Sequence, residues 1–282
     1  MAHTHLHLSA KSASAILIKY GPGRVSSVIG WDRTTDTFVR SQCLRSKLEC
    51  PDISPDGRYL AYYVNTHSGK DKSVRLVVSR WPWLKALAFW SASGWVHGPG
   101  RGLFTGNGHE MWANDQVKPE WDDIGIAITP DSPVAWQSFV KGAGFQLQRD
   151  GWKPVTPWET FTAEEAAGVA KWSYQMDVRR IIFQKQLANN HRWKLQLTRW
   201  VGINEDENRG TSFDTFALVS IEGTVEGCEG WCSADYDAVK GRVVWTSDNV
   251  LYGAKLGRKG LKPATVLYDA TEVKYQPAKA SY

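Results

Sequence analysis

The chain has little cysteine, no long apolar run and no block of like charge, and each shortage closes off a class of protein. Four cysteines (Cys43, Cys50, Cys228 and Cys232) in 282 residues are too few for a disulfide-built scaffold. The apolar patch Ala15-Ile16-Leu17-Ile18 falls far short of the roughly 20 residues that span a bilayer. Residues Met1 to Ser12 lack the charged segment and apolar core of a secretory leader. A cytoplasmic protein with no membrane partner is expected. The 34 basic and 29 acidic residues are interspersed, without the Lys/Arg run of a nucleic-acid binder. No nucleic-acid partner is expected, and the net charge of +5 suits an acidic one.

Signatures of chemistry are missing as well. There is no Gly-x-Ser-x-Gly, no Walker A loop and no Gly-x-Gly-x-x-Gly. Gly21-Pro22-Gly23 and Gly98-Pro99-Gly100-Arg101-Gly102 read as turns, because proline removes a donor that a phosphate cradle needs. His3, His5 and His7 would share one side of an extended strand, in a segment expected to be a terminal tail. Cys228 and Cys232 have no convincing second pair to complete a zinc site. No cofactor and no metal are expected.

Aromatic residues, by contrast, are abundant. Fifteen Trp, ten Tyr and nine Phe, with 25 Gly and 12 Pro, describe many short strands and turns. The clearest local signal is Pro51-Asp52-Ile53-Ser54-Pro55-Asp56-Gly57-Arg58-Tyr59-Leu60-Ala61-Tyr62-Tyr63. Proline sets φ, aspartate supplies an acceptor, glycine tolerates positive φ, and β-formers follow. Trp231 to Trp245, with Gly241-Arg242 feeding a strand, is a second copy. Trp172 to Phe183, Gly98 to Phe104 and Pro130 to Trp136 are weaker ones.

Each copy is followed by a short turn and a second strand. Five such hairpins after residue 48 (at 59–79, 103–114, 136–149, 181–199 and 243–256), with an opening unit over 16–40, make six units. At about 45 residues each, they match four-stranded propeller blades. The spacing predicts an all-β fold: a β-propeller domain over 15–276, with six blades and five as the alternative if the two chain ends share a blade. Residues 1–14 and 277–282 are expected to be tails. One short helix is expected after Thr162-Ala-Glu-Glu165, a capping-box signature.

The segment Asp52 to Tyr62 resembles the repeat of TolB-like propellers, found also in the propeller domains of prolyl-oligopeptidase-type peptidases. The resemblance implies a fold whose members usually bind proteins or small ligands. A peptidase is not expected, since these residues hold no hydrolase signature beside the blades.

Asp32, Asp52, Asp123, Asp177 and Asp235 lie near inner-strand starts, where propeller glycosidases gather carboxylates, although aspartate there also caps turns. The aromatic surplus is the stronger functional cue. Arg80, Trp81, Trp83 and Lys85 form one aromatic-charge cluster, Trp121, Asp122 and Asp123 another, and Trp158 opens the expected insertion. Such clusters are enriched at interfaces and sugar-stacking sites. The expectation is a non-enzymatic module that binds a protein through loops on one face, inhibition of a partner enzyme in the manner of an antitoxin being one version. A lectin with tryptophan-lined pockets is the alternative, and a glycosidase the third.

Overall fold

A computed structural model describes residues 3–66, 73–92, 103–106, 108–112, 117–129, 139–162, 165, 177–188, 190–204 and 209–274. Blade 1 contains β1 (His3–Leu8), β2 (Ser14–Tyr20), β3 (Ser26–Asp32) and β4 (Thr37–Leu44). Blade 2 contains β5 (Leu48–Ile53), β6 (Tyr59–Thr66), β7 (Ser73–Arg80) and β8 (Ala86–Ala92). Blade 3 is small, with β9 (Leu103–Phe104) and β10 (Glu110–Trp112). The next strand, β11 (Val117–Asp122), returns to the edge of blade 2, and β12 (Ala127–Thr129) pairs with β10.

A helix, α1 (Phe139–Arg149), leads into blade 4: β13 (Trp152–Pro154), β14 (Glu159–Phe161), β15 (Asp177–Leu187), β16 (Asn190–Asn204), β17 (Arg209–Ser220) and β18 (Val225–Gly227). Blade 5 contains β19 (Ser233–Asp237), β20 (Arg242–Ser247) and β21 (Val250–Ala254). A small hairpin of β22 (Leu256–Gly257) and β23 (Gly260–Leu261) precedes its last strand, β24 (Thr265–Asp269).

The described residues therefore form a propeller arrangement of five blades with one short helix. The sixth blade is lost because its proposed second strand, 144–149, lies in α1. The alternation of Phe145, Leu147 and Arg149 suggests a strand, but tertiary contacts favour pairs three residues apart. Gly144 and Leu147 face blade 4: a Cβ at Gly144 would lie 3.6 Å from Phe183, and Leu147 packs on the same core. Gln146 and Arg149 both bind Asp52. The expected helix after Thr162 falls mostly outside the described residues. Its capping box does form, with Thr162 N donating to Glu165 Oε2 at 2.7 Å and Glu165 N to Thr162 Oγ1 at 3.2 Å.

Blade packing follows from side-chain parity. On β2, Ala15 and Leu17 pack with Leu6, Leu8, Val244 and Leu251 of blades 1 and 5, while Ile16 and Ile18 pack with Leu48, Leu60 and Tyr62 of blade 2. A strand covered on both faces reads as an unbroken apolar run, and each fully buried side chain contributes about 1.5–3 kcal/mol. The ring closes between the first and last blades rather than within a shared one. Ser233 Oγ accepts from Leu6 N at 2.9 Å, and Thr246 Oγ1 donates to Thr4 O at 2.7 Å. His3–Leu8 is thus an integral strand where a tail was expected.

Candidate functional site

The Ser54 to Tyr59 turn is built as its residues suggest. Asp56 Oδ1 accepts from Ser54 Oγ at 2.6 Å and Arg58 N at 3.1 Å, and Gly57 takes φ +73°. Asp52 has a different task. It is fully buried and accepts from Phe104 N (2.8 Å), Gln146 Nε2 (2.9 Å) and both terminal nitrogens of Arg149 (2.7 and 2.8 Å). Its carboxylate ties blade 2 to blade 3 and to α1, a bidentate geometry that only arginine offers.

Arg149 also holds Asp150, at 2.8 Å through Nε and 3.1 Å through a terminal nitrogen. Burial opposes its charge, but Asp52 and Asp150 outweigh that and hold the guanidinium above its ordinary range. One cation between two carboxylates leaves an excess negative charge with little water around it. Burial, opposed by Arg149, pushes the Asp150 carboxyl up to about 6.

Beyond Asp150 a cavity of about 470 Å³ opens, walled by the 9–13 turn, Arg33, Lys185, Asp235 and the start of the 238–241 turn. Lys185 Nζ donates to Asp235 Oδ1 at 2.5 Å and sits 5.7 Å from the centre of the Trp152 ring. Arg33 donates to Asp237 at 3.3 Å and to Ser9 O at 3.0 Å. Burial draws its pKa down, against Asp237 and Asp235. Asp237 also accepts from Arg242 at 3.0 Å.

The turns around this mouth share one face of the disc. Lys11 N donates to Pro55 O at 2.9 Å, and Lys11 Nζ to Gly106 O at 2.9 Å, linking blades 1, 2 and 3. Both tryptophan clusters end on that same face: β7 ends at Arg80, and β11 ends at Asp122 opposite Ala88 near the start of β8. Arg80, Lys85, Trp121, Asp122 and Asp123 are exposed there.

Trp81 and its neighbours pack instead. The Trp81 indole donates to Ala15 O at 2.9 Å, and a Cβ on Gly30 would stand 2.4 Å from Pro82, so this turn wedges against blade 1. Trp83 is half-buried, and Trp158 packs on the blade 4 and 5 core. Trp121 is 39% exposed and donates to Asp123 Oδ1 at 2.7 Å. Asp122 caps the following turn by accepting from Ile124 N and Gly125 N.

Among the other carboxylates considered, Asp32 caps a turn through Thr34 N at 2.8 Å, Asp235 lines the cavity, and the side chain of Asp177 lies outside the described residues. Cys228 and Cys232 are free thiols. Burial, with Glu226, pushes the Cys228 thiol up to about 12, and burial, with Asp248, raises Cys232, so both stay protonated and weakly nucleophilic at neutral pH. Among the described residues no group of three or more His, Cys, Asp or Glu is placed to hold a metal, and no helix is long and apolar enough to cross a membrane. No protein-family model matches the chain, and no curated protein matches it either.

Arg149, Asp150, Lys185 and Arg33 were not singled out in the sequence. The available signal was physical: an aspartate placed at an inner strand and buried requires a cation, and Arg149 is the basic residue in the last turn of α1.

Proposed function

We propose that this protein is a non-enzymatic binding module that docks a protein partner on the cavity-bearing face. The observation that carries this reading is that strand ends of three blades present exposed apolar side chains on this face. Trp121 is 39%, Ile221 63%, Val225 60% and Val239 44% exposed, and β17 ends at Ser220 beside the β15–β16 turn that borders the cavity. Arg80, Lys85, Asp122 and Asp123 flank Trp121 on blade 2. Aromatic and aliphatic anchors among charges on rigid turns make a pre-organised interface. The resemblance of Asp52 to Tyr62 to TolB-like repeats supports a binding role, since such propellers commonly bind proteins.

The commitment of the carboxylates favours binding over catalysis. Asp52 and Asp150 are clamped by Arg149, and Asp235 Oδ1 accepts from both Lys185 and Tyr236 N. Successive tryptophan pockets receive less support, because Trp31, Trp90, Trp152, Trp193, Trp200 and Trp245 are buried in blade cores.

Affinity capture from the native host tests the reading. A stoichiometric protein partner is expected. Its retention should fall with Trp121→Asp or Ile221→Asp and hold with Lys47→Glu, whose exposed side chain lies on the opposite face. Retention unchanged by both interface variants would overturn the proposed face.

A further inference from the structure

We infer that the cavity beside Asp235 and Lys185 binds an uncharged polyhydroxylated small molecule of monosaccharide or cyclitol size. The inference stands apart from the protein-docking reading, since it concerns the interior of the cavity rather than the rim.

Size and chemistry both point this way. About 470 Å³ lies within the usual range for small-molecule sites. The wall carries unused hydrogen-bonding capacity of both kinds. Lys185 spends one of its three N–H bonds on Asp235, and the other two have no partner among the described residues. Asp235 engages Oδ1 twice, while Oδ2 likewise has none. Two donors and an acceptor at adjoining positions match hydroxyl groups, which both donate and accept.

The charged groups of the wall disfavour an ion. Asp150 is held by Arg149, Asp235 by Lys185 and Arg33 by Asp237, and the exposed Lys11 donates to Gly106 O. A charged ligand would find no buried counter-ion without a partner of its own, and its charge would be poorly solvated. A neutral polyol adds no charge and completes the open donors and acceptor. Several small side chains line the cavity, among them the exposed Ala238.

Isothermal titration calorimetry of the full chain at pH 7.5 tests this against neutral hexoses, pentoses and cyclitols, with glucosamine and glucuronate as charged comparators. Saturable 1:1 binding of a neutral polyol is expected. Lys185→Met and Asp235→Asn should each weaken it about tenfold, the usual cost of one lost polar contact. Ala238→Trp touches none of the ion pairs, and should abolish binding while leaving the melting temperature near that of the parent. Absence of saturable binding by any neutral polyol, equal affinity for a charged comparator, or undiminished binding in Ala238→Trp would each overturn the assignment.

Discussion

The two ends of β1 meet opposite electrostatic solutions to the same problem. At Leu8 and the adjoining Ser9, the strand borders the cavity, where Arg33 meets Asp237, Arg149 meets Asp150 and Lys185 meets Asp235 within hydrogen-bond reach. At its other end, His5 meets His3 and Tyr20 edge-on and His3 tilts against Tyr20, their ring centres 5.1 to 5.6 Å apart. Burial and the neighbouring His3 lower the pKa of His5 to about 4, against the pull of Asp214 and with Lys47 adding to the fall. A propeller interior therefore tolerates ions where blades deliver matched pairs and keeps a ring neutral where they do not.

The sharpest way to break this comparison is to remove the shared cation. Arg149→Met strands the fully buried Asp52 together with Asp150, and a loss of about 3–5 kcal/mol is expected, as for other broken buried pairs. Chemical denaturation measures it; a loss below ~1 kcal/mol would mean that α1 is not pinned by Asp52.

The second way uses pH. Folded Asp150 titrates near 6 rather than 3.8, so it favours folding at low pH, and that advantage is lost as pH rises through 6. His5 runs oppositely: its value falls from 6.5 to about 4, so its contribution is present above 6.5 and lost as pH falls through 4. Each is worth on the order of 3 kcal/mol across its window. Denaturation midpoints between pH 4 and 6.5 should show Asp150→Asn steepening the rise of stability with pH and His5→Asn flattening it. The reverse pair of slopes would refute the contrast between the ends.

A smaller effect probes the turn that joins the charged end to its neighbours. Gly57 has φ +73°, and a Cβ there would stand 2.0 Å from Ser12 Oγ and 2.6 Å from Ser14 Oγ. Gly57→Ala is expected to cost about 1–3 kcal/mol through backbone strain and crowding, read as a lowered melting temperature.

What the sequence revealed follows the same division between local and distant. The Ser54 to Tyr59 turn, the strand rhythm and the Gly241 turn, with φ +64°, depend on neighbouring residues and were legible. So was the placement of Asp52 and Asp235 near the inner strands. The partners were not: Arg149 lies 97 positions from Asp52, Arg33 204 from Asp237, and Lys185 50 from Asp235, and nothing in local periodicity links them. Residues 139–149 misled for the same reason, since contacts with blades 2 and 4 decide that segment. Trp81 looked exposed because its anchor, Ala15 O, and the space beside Gly30 that receives Pro82 and the edge of the Trp81 ring lie far away in sequence.

Hydrogen exchange on the complex with a captured partner tests the central functional claim most directly. Slowed exchange is expected at 81–85, 121–125, 221–224 and 238–241, with 45–47 and 247–250 on the opposite face unchanged. Protection confined to 45–47 and 247–250 would contradict it.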